Sequence, residues 1–274
     1  MVTLDRVLQR PTARIAYRDS GRGSPTVVFL HGAGLDHVMF DDQADALVAA
    51  GARIVQWDLR AHGQSTLAPG TRFTAEDGLD DLAALLDETQ VYAPVLVGHS
   101  LGGNIAQAFV RMHSNRASGV VIIDSAWNTG PLSASSQFLL GLAAPALALI
   151  PARSLPGLMA KASAVTPAAI ERATETFGRM PKNTFLDVWR ATSSFIAPDP
   201  EYRSLIPIGL MRGSDDQTGN ISQTMGTWAA AEGVTEHVVA DAGHIVTWDA
   251  PAQSTATLFE ILGQWHPHLV SGEG

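Results

Sequence analysis

The chain has no cysteine. That excludes disulfide staples, thiolate metal sites and a cysteine nucleophile. Charge is sparse and unbalanced: Asp, Glu, Lys and Arg make up 16% of the 274 residues, and 27 acidic against 18 basic side chains leave a formal net charge of -9. An acidic chain gains nothing from a phosphate backbone or an anionic lipid surface, so neither nucleic acid nor membrane is expected as a partner. Long apolar runs are missing too. The most apolar stretch, residues 138–150, is too short to span a bilayer and is interrupted by Pro145. Residues 1–10 lack the apolar core of a signal peptide. These absences together predict a soluble, cytoplasmic protein. No phosphate-binding glycine loop and no His-rich ligand spacing is visible, so no metal and no organic cofactor is expected.

What is present is apolar: hydrophobic residues form 46% of the chain, enough for a large core. Short β-branched runs alternate with helical patterns, which signals a mostly parallel sheet with crossover helices. Val2–Leu8 and Ala13–Arg18 read as an antiparallel lead-in pair. Thr26–Leu30, Arg53–Trp57, Pro94–Val97, Gly119–Asp124, Ile208–Arg212 and Glu236–Ala240 read as further strands. Thr74–Thr89 is a helix capped by Thr74, with Glu76 and Asp77 in its first turn and Leu79, Leu82, Leu85 and Leu86 on one face. Helices are also expected over Asp41–Ala50, Leu101–His113 and Ala252–Leu262. Between residues 130 and 204 the rhythm changes to Ala, Leu and Pro with no strand run. Residues 1–129 and 205–274 are therefore expected to form an α/β core, and residues 130–204 an inserted helical cap.

The sharpest local signal is Gly98-His99-Ser100-Leu101-Gly102, placed where the run Pro94–Val97 ends and a helical segment begins. A serine hydroxyl needs exposure and a base to act as a nucleophile. A strained strand-turn-helix flanked by glycines gives the exposure, and the following helix N-terminus favours developing negative charge.

Nine histidines compete as the base. His244 follows the last expected strand, at the sheet edge where α/β sites form. His113, His266 and His268 read as surface residues, and His237 lies inside a strand. The carboxylate that orients the base is expected after Ile208–Arg212. Asp216 is favoured because the loop must first turn at Gly213; Asp215 is the near alternative and Asp124 a third. Two amides are needed for an oxyanion: Leu101, directly after the serine, and Ala33 in the turn His31-Gly32-Ala33-Gly34. His31 itself reads as a brace for that turn.

These motifs resemble the α/β-hydrolase superfamily, in particular its bacterial esterase, lactonase, haloperoxidase-like and carbon–carbon bond hydrolase branches. The resemblance rests on His31-Gly32, on Asp58-Leu-Arg-Ala-His-Gly-Gln-Ser65, and on Ser100, Asp216 and His244 in that chain order. It implies an α/β-hydrolase fold with a variable helical cap. It also implies a serine hydrolase that cleaves a carboxylic ester or lactone of a small, largely apolar substrate. Carbon–carbon cleavage of ring-fission products, cofactor-free perhydrolysis and a small-molecule receptor on the same fold are the alternatives. Ser100 argues against the branches that carry Asp there. One departure is Ala61, where the family usually has Gly. For the substrate pocket the residues expected are His31, Gly32, Trp127, Trp189, Arg190 and Trp248, with Arg190 a partner for a carboxylate.

Overall fold

The computed structural model describes residues 3–133, 142 and 144–271. Val2 of the expected lead-in strand and part of the apolar stretch 138–150 lie outside the described residues.

Nine strands form one sheet in these residues: β1 Arg6–Arg10, β2 Ala13–Asp19, β3 Thr26–Leu30, β4 Arg53–Trp57, β5 Thr66–Leu67, β6 Val95–His99, β7 Gly119–Ile123, β8 Ile208–Gly213 and β9 Glu236–Val239. Their order is β1-β2-β4-β3-β6-β7-β8-β9, with β5 on β2. Pairing is antiparallel from β1 to β4 and parallel from β4 onward. The lead-in strand sits later than its sequence pattern suggests. Its register is set by the tight connection that pairs Arg10 with Ala13, so the strand runs up to Pro11 rather than ending at Leu8.

The sheet is covered on both faces, which is why β3, β7 and the first three residues of β6 read as apolar runs rather than alternating ones. The period of two is still visible in where their side chains go. Val28, Leu30, Leu96, Val120 and Ile122 pack with helices α2 (Ala75–Glu88) and α3 (Leu101–Met112). Val27, Phe29, Val95, Val97, Val121 and Ile123 pack on the other face with α1 (Asp41–Ala49). Thr74 caps α2 as its sequence suggests, its Oγ1 accepting the Asp77 amide at 3.1 Å.

Between β7 and β8 the described chain is helical: residues 144–149, then α4 (Leu155–Ser163), α5 (Pro167–Gly178) and α6 (Lys182–Ser194). Helix α7 (Ile221–Glu232) precedes β9. The short α8 (Val246–Asp249), α9 (Pro251–Trp265) and α10 (His268–Ser271) close the chain. Among the described residues no helix is long and apolar enough to cross a membrane.

Candidate active site

Ser100 lies between β6 and α3 with φ 49° and ψ -116°, a backbone conformation that side chains rarely adopt. Three hydrogen bonds hold it there. Its amide donates to Ile123 O at 3.0 Å, and its carbonyl accepts from Asn104 N at 2.9 Å and from Ser125 Oγ at 2.7 Å. The glycines of the motif have a direct steric reason. A Cβ on Gly98 would lie 2.5 Å from Gly102 O, and one on Gly102 would run into the carbonyl of Leu30. With both side chains absent, α3 can start against the end of β3 while Ser100 stays half-exposed.

His244 sits in the loop after β9. Its Nδ1 is 3.0 Å from Asp216 Oδ2, and both side chains are buried. Asp215 is exposed, and its amide is taken by Ala242 O at 2.8 Å, so Asp216 and not Asp215 reaches the imidazole. Thr218 N donates to Asp216 Oδ1 at 2.7 Å. Burial works to raise the Asp216 carboxyl, but the charge and ring N–H of His244 and the Thr218 hydrogen bonds prevail and hold it at about 2. Asp216 is therefore ionised near neutral pH, and it fixes the Nδ1–H tautomer that leaves Nε2 free to take a proton.

Sequence reasoning passed over two residues that hold this loop. His99, inside the glycine motif, donates from Nε2 to His244 O at 2.7 Å. Burial, with the neighbouring His244, keeps its ring neutral by lowering it to about 3. Asp249 gathers the amides of Gly243 (2.9 Å), Val165 (3.1 Å) and Thr166 (2.8 Å) and the Thr166 hydroxyl (2.9 Å). It thereby ties the start of α5 to the His244 loop, and Ile245 N adds a bond to Ser163 O at 2.8 Å. A histidine inside an otherwise apolar strand end was the only sequence signal for His99; Asp249 carried none.

The turn after β3 is braced from below. His31 Nδ1–H donates to Gly32 O and its Nε2 accepts the Leu59 amide, each at 2.9 Å. Burial holds this ring neutral. A Cβ on Gly32 would stand 2.5 Å from His99 Nδ1. Ala61, in the neighbouring Asp58–Ser65 segment, adopts φ 66°, so the methyl replaces glycine without changing the left-handed turn.

Ser100, His99, His244 and Ala33 line one cavity of about 580 Å³, which α4, α5 and α6 close with Met159, Phe177 and Trp189. Leu101 opens α3 directly after Ser100, where helix amides lack partners within the helix. Of the six expected pocket residues, Trp189 reaches this cavity and the other five are not in its described lining. Trp127 stacks on Trp228 at 5.7 Å and lines a separate cavity of about 610 Å³. Arg190 is exposed and paired with Asp187 at 2.8 Å, because the helix face carrying Trp189 inward turns its neighbour outward. Trp248 is covered by the Arg172 guanidinium, 4.4 Å from the ring centre. His31 and Gly32 lie beneath the cavity floor rather than in its described lining.

A family model described as the alpha/beta hydrolase family matches residues 27–257. The chain belongs to that family. As an α/β hydrolase it is similar to a solved esterase from Thermogutta terrifontis, with a TM-score of 0.79 and 25% identity over 95% of this chain and 99% of that one. It is 42% identical over 106 residues to a non-heme chloroperoxidase of Kitasatospora aureofaciens, covering 38% of this chain and 37% of the relative. It is 30% identical over 131 residues to a 2-hydroxy-6-oxononadienedioate/2-hydroxy-6-oxononatrienedioate hydrolase of Paraburkholderia xenovorans, covering 46% and 43%. The matched stretch is thus less than half the length of either curated relative.

Proposed function

We propose that this α/β hydrolase is a serine hydrolase that cleaves a carboxylic ester or lactone of a small, uncharged, largely apolar substrate. The observation that carries the reading is the cavity. Ser100 and His244 open into one space whose described lining holds no Asp, Glu, Lys or Arg. In this mechanism Ser100 Oγ attacks the carbonyl carbon while His244 Nε2 takes its proton. The Asp216 carboxylate stabilises the imidazolium. The amides of Ala33 and Leu101 receive the oxyanion. Collapse breaks the bond to the alkoxy oxygen, which leaves with the proton from His244. Water, activated in turn by His244, attacks the acyl-enzyme and releases the acid. The helices between β7 and β8 act as the cap that shapes the acyl and alcohol sites.

The ring-fission hydrolase in the comparison acts, by its name, on a dioate. Two carboxylates entering this cavity would lose their hydration with no Lys or Arg in its described lining to replace it, so ester or lactone cleavage is the better fit. The esterase likeness supports the same choice. A perhydrolase would use the same residues, with peroxide in place of water.

The test is a panel of p-nitrophenyl esters of rising chain length with lactones alongside, run on the wild type and Ser100→Ala. Loss of one such group costs on the order of 10⁴–10⁶ in turnover. A fluorophosphonate should label Ser100 stoichiometrically, which a mere receptor with an inert serine would not allow. Near-normal hydrolysis by Ser100→Ala would overturn the proposal.

A further inference from the structure

Two buried carboxylates converge on His244, and the mechanism above uses only one. Asp124 stands at the end of β7 with φ 43° and a wholly buried side chain. A carboxylate oxygen of Asp124, one of Asp216 and a ring nitrogen of His244 all lie within 4.8 Å of one another. Asp124 Oδ1 accepts the Gly213 amide at 2.9 Å. Its Oδ2 is equally buried and receives no N–H or O–H from a conventional donor. The carboxylate of Asp216 shares this buried cluster.

Two ionised carboxylates cannot share such a site without strong repulsion. No cation is committed to relieving it. Arg212 on β8 contributes some attraction, but its Nε donates to Glu236 Oε1 at 2.7 Å and its Nη1 to Gly213 O at 3.1 Å. His244 spends its Nδ1–H on Asp216. One proton on the Asp124 oxygen converts the repulsive contact into an O–H···O⁻ bond and satisfies the unpartnered atom at once.

We infer that Asp124 is a positioning residue: it holds the single proton of an Asp124–Asp216 pair and donates it to the Asp216 carboxylate that orients His244. Burial and the neighbouring Asp216 charge push the Asp124 carboxyl well above the usual range, in agreement. Asp216 then accepts from three directions, from Thr218, His244 and Asp124. The pair carries one negative charge instead of two. That matters for the chemistry, because a second negative charge beside the ring would favour imidazolium and withhold the base. It also gives the site a reserve. If Asp216 loses its charge, the repulsion that adds to burial in keeping Asp124 protonated disappears, and Asp124 can pair with the imidazolium in its place.

The role assigned to the pair rests on the proposed Ser100–His244 chemistry, whereas the shared proton does not, so two readouts separate them. The first is stability against pH. A folded-state carboxyl raised above its unfolded value binds a proton that the unfolded chain has released, so its contribution is lost as pH rises. Asp124→Asn removes that dependence. The Tm of the variant relative to wild type should therefore climb between about pH 5 and pH 8. A flat or falling difference overturns the shared proton. If the variant fails to fold, infrared spectra of the wild type should show a protonated-carboxyl C=O band that persists near neutral pH, and its absence overturns the proton equally. The second readout is kcat/KM of Asp216→Asn against the Asp124→Asn/Asp216→Asn double variant. The single variant should keep at least about tenfold more activity, as expected for a carboxylate that steps in. Equal values overturn the positioning role. Failure of the serine mechanism itself would show instead as an active Ser100→Ala, and the Tm result would still decide the proton.

Discussion

The sheet edge and the inserted helices face the same cavity under different constraints. On the core side, positions are set by contacts that leave no room for one methyl group: backbone around Gly98 and Gly102 beside Ser100, the His99 ring against Gly32, and the carbonyls of Ala242 and Gly243 against Gly213. On the helical side the cavity is bounded by Met159, Phe177 and Trp189, side chains that act through shape and apolar area. Reacting atoms must be placed to within a fraction of an ångström, whereas an apolar wall discriminates only by about 1–3 kcal/mol per methylene. The difference teaches that chemistry and selectivity can vary separately here, and that Asp249 is the joint where one region is tied to the other.

The tightness of the core side is tested most severely by Gly102→Ala. Its methyl would press on the carbonyl of Leu30 and approach His31 O, backbone atoms that belong to β3 and the turn carrying Ala33. Neither can yield without moving α3 away from that turn. The expected result is a loss of about 10²–10³ in kcat, comparable to removing an oxyanion donor, together with destabilisation of about 3 kcal/mol or more. Ester kinetics and chemical denaturation check it. A fully active, equally stable Gly102→Ala enzyme would mean that the core side is no tighter than the cap.

Trp189→Ala tests the other side. The ring lines the cavity from α6 and packs near Phe185, 6.1 Å between centroids. Removing it should deepen the pocket and shift preference toward longer acyl or alkoxy chains. The ratio of kcat/KM for long over short esters should change about tenfold, with kcat for short esters altered by less than about threefold. A large fall in kcat for every ester would show that the cap takes part in the chemistry rather than in selection.

The same contrast governs what the sequence makes legible. Strands buried on both faces announce themselves as apolar runs, so β3 occupies the residues its pattern suggests. Ser100, Asp216 and His244 could be singled out as candidates because their spacing and order relative to strands are local facts. His99 and Asp249 could not, because the bond of His99 to His244 crosses 145 residues of sequence and those of Asp249 to Val165 and Thr166 cross 84 and 83. The inward face of the cap was equally hidden. Trp127, Trp189, Arg190 and Trp248 are alike as sequence signals, and only the docking of α5 and α6 decides that Trp189 meets the cavity while Trp248 lies beneath Arg172.

The smallest effect is expected at Ala61, where the core carries a side chain that its backbone does not favour. At φ 66° a methyl group crowds the following carbonyl, a strain of about 1–2 kcal/mol that glycine does not have. Glycine gives back part of this through the greater freedom of the unfolded chain, about 0.4–1 kcal/mol. Ala61→Gly should therefore stabilise the protein by roughly 0.5–1 kcal/mol, a rise of about 1–4 °C in Tm for a chain of this size. Activity should barely move, because Ala61 acts on the site only through the Asp58–Ser65 segment and the Leu59 amide that meets His31. A loss of stability would show that the methyl packs well enough to offset its strain. The core's tolerance for an added carbon would then be wider than its glycine contacts imply.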